Sequence, residues 1–287
     1  MIIDCHAHFD PQLLDAPTAL RKMDAVGVSR VALIPAMNGP LPETPKRLLA
    51  VLRHVMNSPA RPLAELLHRH MMVDGGVKLG KLTFPIFPLP ANDPVAELLR
   101  AHPTRFLGWI FLNPAADPTP LDTLERYRSV PGMVGVKLHP HWHDYTTDVL
   151  GPILARCQEL GLPVLIHLGF RKGGDFRGIC AQYPKLNVIS AHAGFPFYKD
   201  LWRFKDECPN LHVDLSSPYI DERLARASVT AMGAERCLYG TDAPYGFHEE
   251  DSSYDYGEIL GWIARMPLSE RERDAVLSGN SQRLLGL

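Results

Sequence analysis

Within its first ten residues, MIIDCHAHFD, the chain sets Asp4, His6 and His8 at two-residue intervals behind an apolar lead. Side chains two apart on a strand point the same way. A strand here would therefore bury a carboxylate and two imidazoles on one face. Burying unpaired polar groups is costly. A divalent ion would satisfy them, because imidazole nitrogen and carboxylate oxygen are the donor set of Zn²⁺ and similar ions. A lone His-x-His is weak, since buried histidines are commonly satisfied by a neighbouring hydrogen-bond partner. The same chemistry recurs far along the chain, however: Lys137 and His139 in VGVKLHP, His167 in PVLIHLG, His192 in NVISAHAG and Asp242 in CLYGTDAP. Each has a bland reading alone. His192 could cap a helix, Asp242 could open a turn, and Lys137 could neutralise Asp4 or Asp242.

What must position them is a set of short apolar runs alternating with amphipathic stretches. The strand candidates are 1–8, 30–36, 106–113, 134–140, 163–169, 187–194, 211–217 and 237–244, several of them apolar almost throughout. TALRKMDAVG, TDVLGPILARCQELG, YKDLWRFKDEC and ERLARASVTAMG read as the helices between them. Eight such strands imply parallel pairing through right-handed crossovers, and the count points to a distorted (β/α)₈ TIM barrel. In that fold active sites form at the C-terminal ends of the strands, which is where each of the polar residues above falls. His6, His8, His167 and Asp242 would then supply four metal ligands around one mouth and leave a position for water.

The remaining composition fits a single enzyme-sized domain spanning 1–287. Apolar residues are 46% and charged residues 22%, with a formal charge of -2 and no basic block, which argues against nucleic acid and an anionic membrane as partners. The apolar start is too short for a signal peptide, no run is long enough to span a bilayer, and the five cysteines are scattered without a CxxC. The expectation is a soluble cytoplasmic protein with reduced cysteines. One interval is out of scale: about 38–105 carries RLLAVLRHVM and LAELLHRHMM, then the Pro-rich FPIFPLPANDP. It reads as a helical insertion after strand two, covering the barrel mouth. Its apolar stripes must bury against something, and both a pocket wall and the packing face of a homodimer remain open.

On the pieces DCHAHF, GVKLHP, LPVLIHLG, SAHAGFP, YGTDAP and GNSQRLLGL, the chain resembles the amidohydrolase superfamily, and within it the amidohydrolase-related branch that includes aminocarboxymuconate semialdehyde decarboxylase and related decarboxylases, hydratases and lactonases. The resemblance runs end to end apart from the insertion. It implies that His6, His8, His167 and Asp242 are metal ligands, that His192 acts on substrate or metal-bound water, and that Asn280 and Arg283 are structural. It implies one divalent ion, zinc first with manganese the alternative. In binuclear members a carboxylated lysine on strand four bridges two ions, so Lys137, His139 and His192 are candidates for a second ion or for substrate.

A bound divalent ion lowers the pKa of its water from 15.7 to about 7. Asp242 could take that water's proton, and His192 could polarise a carbonyl or stabilise an oxyanion. The main reading is a metal-dependent hydrolase acting on a small carbonyl compound (a lactone, amide or ester). The alternative is a decarboxylase or other lyase on the same site, and a third reading is an inactive ligand-binding barrel. Arg171, Trp142 and Tyr245 are the candidates for substrate contact, each as readily explained by solvation or packing.

Overall fold

The computed structural model describes residues 1–39, 45–73, 75–249 and 254–287. Eight parallel strands follow one another around a barrel: β1 (Ile3–Phe9), β2 (Arg30–Pro35), then, beyond the insertion, β6 (Phe106–Phe111), β7 (Met133–Leu138), β8 (Val164–Ile166), β9 (Val188–Ser190), β10 (Leu211–Asp214) and β11 (Cys237–Leu238). Nearly every residue of these strands is buried, as expected when helices cover the outer face and side chains fill the interior. The interior layer includes Cys5, Ile34, Leu107, Trp109, Phe111, Leu165 and Ile189. Trp109 is fully buried there and its indole N–H donates to the Cys5 carbonyl at 3.0 Å.

No ladder joins β11 to β1. The seam is closed by the chain after β11, where Cys5 N–H donates to Tyr239 O (3.0 Å), and Thr241 and Asp242 N–H both donate to His6 O (3.1 and 2.7 Å). The seam also corrects the simple alternation expected of the first strand. The register of β1 against β2 slips between Asp4 and Ala7, so one extra residue is accommodated there, as in a bulge. Cys5 therefore joins the interior layer, while the Asp4 carboxylate turns to Thr241, accepting its N–H (3.1 Å) and its hydroxyl. His6 and His8 still reach a common partner.

The expected insertion follows β2 and is only partly helical. It holds α1's successors in the chain after α1 (Ala16–Val26), namely α2 (Lys46–Met56) and α3 (Arg61–Met71), and then an antiparallel sheet of β3 (Met72–Val73), β4 (Gly76–Leu79) and β5 (Leu82–Pro85). Residues 40–44 and 74 of the expected insertion lie outside the described residues. Its two ends are pinned together where Asn38 bridges Ile86 and Phe87 N–H donates to Met37 O. The next helix, α4 (Asn92–Ala101), packs on the barrel itself. Asn92 at its start exchanges hydrogen bonds with the Phe111 backbone (2.8 and 3.0 Å), which ties it to the end of β6. At the other end of the barrel, Asn280 donates to the carbonyls of Ala234 and Cys237 (both 2.8 Å) and so anchors the terminal helix Asn280–Leu285 beside β11.

Two substitutions test this packing. A Cβ on Gly135 of β7 would lie 2.5 Å from the Pro163 carbonyl oxygen and 2.6 Å from the Trp109 ring, and that carbonyl is already held by Val136 N–H at 3.0 Å. Gly135→Ala should cost about 1–3 kcal/mol or more in urea unfolding, and an unchanged midpoint would contradict the interior arrangement. His212 of β10 is buried and its pKa falls to about 3, from burial first and then from Arg283 and Arg236. It is neutral when folded and gains a proton on unfolding below about pH 6.5, so its contribution to stability is lost as pH falls from there towards 3. The unfolding free energy of metal-free His212→Leu should decline less steeply with acid than that of the parent, by at most about 1.4 kcal/mol per pH unit.

Candidate metal centre

The polar strand ends converge on one cavity of about 890 Å³. At its floor His6 Nε2 stands 3.5 Å and His8 Nε2 3.3 Å from the same Asp242 oxygen, and all three residues offer ligand atoms within 4.8 Å of one another. Two atoms each about 2.1 Å from one tetrahedral ion stand about 3.4 Å apart, so these spacings match the edges of a coordination polyhedron. His6 Nε2 and His8 Nδ1 are buried without a hydrogen-bond partner. An ion at this point would relieve the first of these orphans directly. The residues fit a divalent metal.

Burial sets their charge states. It lowers the pKa of His6 and His8, brings His192 to about 4, and takes His139, His141 and His167 well below the usual imidazole range, where neighbouring imidazoles add to the effect. Neutral imidazoles carry the lone pair that a metal needs. Burial pushes Asp242 up, but the surrounding histidines outweigh it and hold the carboxylate ionised. Asp242 and His192 are both fixed in left-handed backbone, with φ of 64° and 54°, a conformation unfavourable for side chains other than glycine that recurs at functional sites.

His167 lines the same cavity but belongs to neither group of mutually close ligand atoms. Its ring packs between His139 and His141, with centroids 4.4 and 4.7 Å away. Its Nδ1 faces the Leu168 carbonyl at 3.2 Å, which leaves Nε2 as the nitrogen with the lone pair. His139 is set the opposite way. Its Nδ1 accepts the Trp142 N–H (3.2 Å), so its Nε2 carries the proton. Lys137 is fully buried with Nζ unpartnered, and burial draws its pKa down to about 8 against the opposing pull of Asp214 and Asp242.

Among the substrate candidates, Trp142 and Tyr245 line the cavity. Tyr245 packs edge-on to His8 and donates to Asp10 at 3.2 Å. Arg171 does not line it. Its exposed guanidinium turns to Glu65 on α3 and ties a barrel loop to the insertion. The insertion contributes Leu49 and Arg53 of α2 to the cavity wall. Arg53 is the one arginine there among the described residues, held by the Pro218 carbonyl (2.7 Å) and by Asp221 (3.6 Å).

The residue that sequence reasoning missed is Asp214. It ends β10, accepts from His6 Nδ1 at 2.8 Å, and completes a second close group with His6 and His192. The signal was present in LHVDLSS: a polar residue at the C-terminal end of a barrel strand is the same pattern that singled out the others.

Three comparisons bear on this site. The family model described as amidohydrolase matches residues 3–287. The chain is 24% identical to a 2-amino-3-carboxymuconate-6-semialdehyde decarboxylase of Dictyostelium discoideum, over 68% of this chain and 65% of the relative, just under two thirds of its length. It is also 24% identical to a gamma-resorcylate decarboxylase of a Polaromonas species, over 69% of this chain and 75% of that one. The solved structure of a dihydroxybenzoic acid decarboxylase from Polaromonas, with bound manganese and the inhibitor 2-nitroresorcinol, superposes with a TM-score of 0.63 at 18% identity, covering 100% of this chain and 97% of that one. At that identity the likeness is one of fold.

Proposed function

The chain belongs to the amidohydrolase family, a family of metal-dependent enzymes, and on that premise we propose that it is a decarboxylase acting on a small aromatic or conjugated carboxylic acid. The observation that carries this reading is the make-up of one cavity. A His6–His8–Asp242 cluster forms the floor, Trp142, Tyr219, Tyr245 and Phe247 form walls suited to a planar ring, and Arg53 offers a cation for an anionic group. Acidic residues also line the mouth, each engaged as Arg53 is with Asp221: Glu249 pairs with Lys22, Asp255 accepts the N–H groups of Gly257 and Glu258, and Glu258 accepts from the Trp262 indole. The decarboxylases among its relatives favour this reading over the hydrolysis expected from the motif alone.

His6 Nε2, His8 Nε2 and Asp242 would hold one divalent ion, with His167 the fourth candidate ligand across the cavity. When bound, the ion supplies a Lewis acid that fixes the substrate's oxygens and stabilises negative charge. Arg53 binds the anionic end of the substrate and the aromatic walls orient its plane. His139 presents an N–H to the substrate's oxygens. His192 moves the proton: its imidazole, neutral at rest, takes up one proton from solvent as the anionic substrate binds and delivers that proton to the carbon that bore the carboxylate. The bond to the carboxyl carbon breaks, its electron pair stays on the ring carbon as the new C–H bond, and CO₂ departs.

Three outcomes test this. Elemental analysis of protein purified without chelator should find about one divalent ion per chain, zinc or manganese, and the double variant His6→Ala, His8→Ala should lose it. His192→Asn should keep most of the ion yet lose 10²-fold or more in kcat on the best substrate from a screen of carboxylated aromatics, lactones and amides. Loss of the ion in parallel with activity would make His192 a ligand instead. Arg53→Gln should raise KM by roughly 10-fold or more with a smaller effect on kcat, the size expected when a charge-assisted hydrogen bond is removed; an unchanged KM would remove Arg53 from the substrate site. Turnover confined to lactones or amides would restore the hydrolase reading.

A further inference from the structure

Asp214 lies behind the cluster, fully buried at the end of β10, and both of its oxygens are engaged. Oδ2 accepts from His6 Nδ1 at 2.8 Å. Oδ1 accepts the backbone N–H of His192 (3.0 Å), the backbone N–H of Ser216 (3.1 Å) and the Ser216 hydroxyl. The hydroxyl has one proton. Because that proton goes to the carboxylate, Ser216 Oγ must act as acceptor towards its two histidine partners, His192 Nδ1 at 2.8 Å and, at the longer distance of 3.3 Å, His6 Nδ1. His192 is then protonated on Nδ1 and carries its lone pair on Nε2. The same logic holds for His6, whose Nδ1 proton goes to Asp214 and whose Nε2, buried and otherwise unpartnered, is left for the ion.

We propose that Asp214 and Ser216 are positioning residues that together hold His6 and His192 as Nδ1–H tautomers, so that His192 is left with a bare Nε2 to take up the proton it then delivers to the substrate. One carboxylate sets His6 directly and His192 through the serine hydroxyl. His192 thereby differs in kind from His139, which faces the same cavity with its Nε2 protonated by the opposite device. The arrangement also decides between the two close ligand groups. A metal between His6, His192 and Asp214 would have to displace the donors already held by whichever carboxylate oxygen it took, whereas the His6–His8–Asp242 group holds an orphaned lone pair ready. The outer partners of metal-bound histidines act in this way, fixing tautomer and ring orientation.

The inference rests on the reading in which His192 acts on substrate, but its first test needs none. Long-range ¹H–¹⁵N correlation on metal-free protein labelled at histidine should show Nδ1 protonated and Nε2 bare in both His6 and His192. In Ser216→Ala the His192 pattern should shift towards Nε2–H while His6 stays as it was. In Ser216→Thr, which keeps the hydroxyl, the parent pattern should return. Titration with Zn²⁺ and with Mn²⁺ should give Ser216→Ala the parent affinity and Asp214→Asn a 10–100-fold weaker one. With a substrate in hand, Ser216→Ala should lose 10-fold or more in kcat at nearly constant KM, and Ser216→Thr should recover it. A wild-type His192 protonated on Nε2, an unaltered ring pattern in Ser216→Ala, or an unchanged kcat beside an altered pattern would each overturn the proposal. If Asp214→Asn fails to fold by circular dichroism, the Ser216 pair still decides it. Failure of the substrate screen would touch only the decarboxylase reading.

Discussion

The hydrogen bonds that close the barrel between its first and last strands run through the residues of the candidate metal site. His6 O receives the N–H groups of Thr241 and Asp242, and Asp4 takes both the N–H and the hydroxyl of Thr241. Closing the seam therefore places the Asp242 carboxylate against the His6 and His8 rings. The left-handed backbone at Asp242 is sustained by this web. A residue at that conformation would relax if its neighbours did not hold it. Stability of the seam and geometry of the site are one property here, and a defect in either should appear in both.

Behind the seam, burial does two opposite things to the titrating groups. It strips the proton from the imidazoles, which suits them to bind a cation, and it would neutralise the carboxylates too if nothing opposed it. Asp214 and Asp242 escape because each faces histidines. They nevertheless differ in role. Asp214 is saturated by donors from His6, His192 and Ser216, while Asp242 meets only ring nitrogens that lack protons to give when the ion is bound.

The insertion is built apart from this chemistry yet reaches it. Its ends are stitched at Asn38–Ile86 and at Met37–Phe87, so the chain leaves and rejoins the barrel at one place. It sends Leu49 and Arg53 into the cavity and leaves Leu48, Val51, Leu63, Leu66 and Leu67 exposed on its outer side. On the proposed reading the barrel would hold the reacting groups and the inserted α2 would contribute to substrate recognition, the division expected where loops at one end of a barrel carry specificity.

By itself the sequence determined the alternation of strands and helices, the number of barrel strands, and the polar residues that terminate most of them, because strand burial and the periods of helix and strand are local properties written in neighbouring residues. His6, His8, His139, His167, His192 and Asp242 were legible for that reason, and they do line one cavity. Only the tertiary structure decided which of them meet. The slip in β1 that turns Cys5 inward, the pairing of Asp214 with a histidine more than two hundred residues away, the reach of Arg53 into the pocket and the turn of Arg171 away from it depend on how the ring of strands closes and on what each loop finds opposite it. Such contacts join segments far apart in the chain, and no spacing along it encodes the few ångströms and the direction of a single N–H that separate a ligand from the residue that orients it.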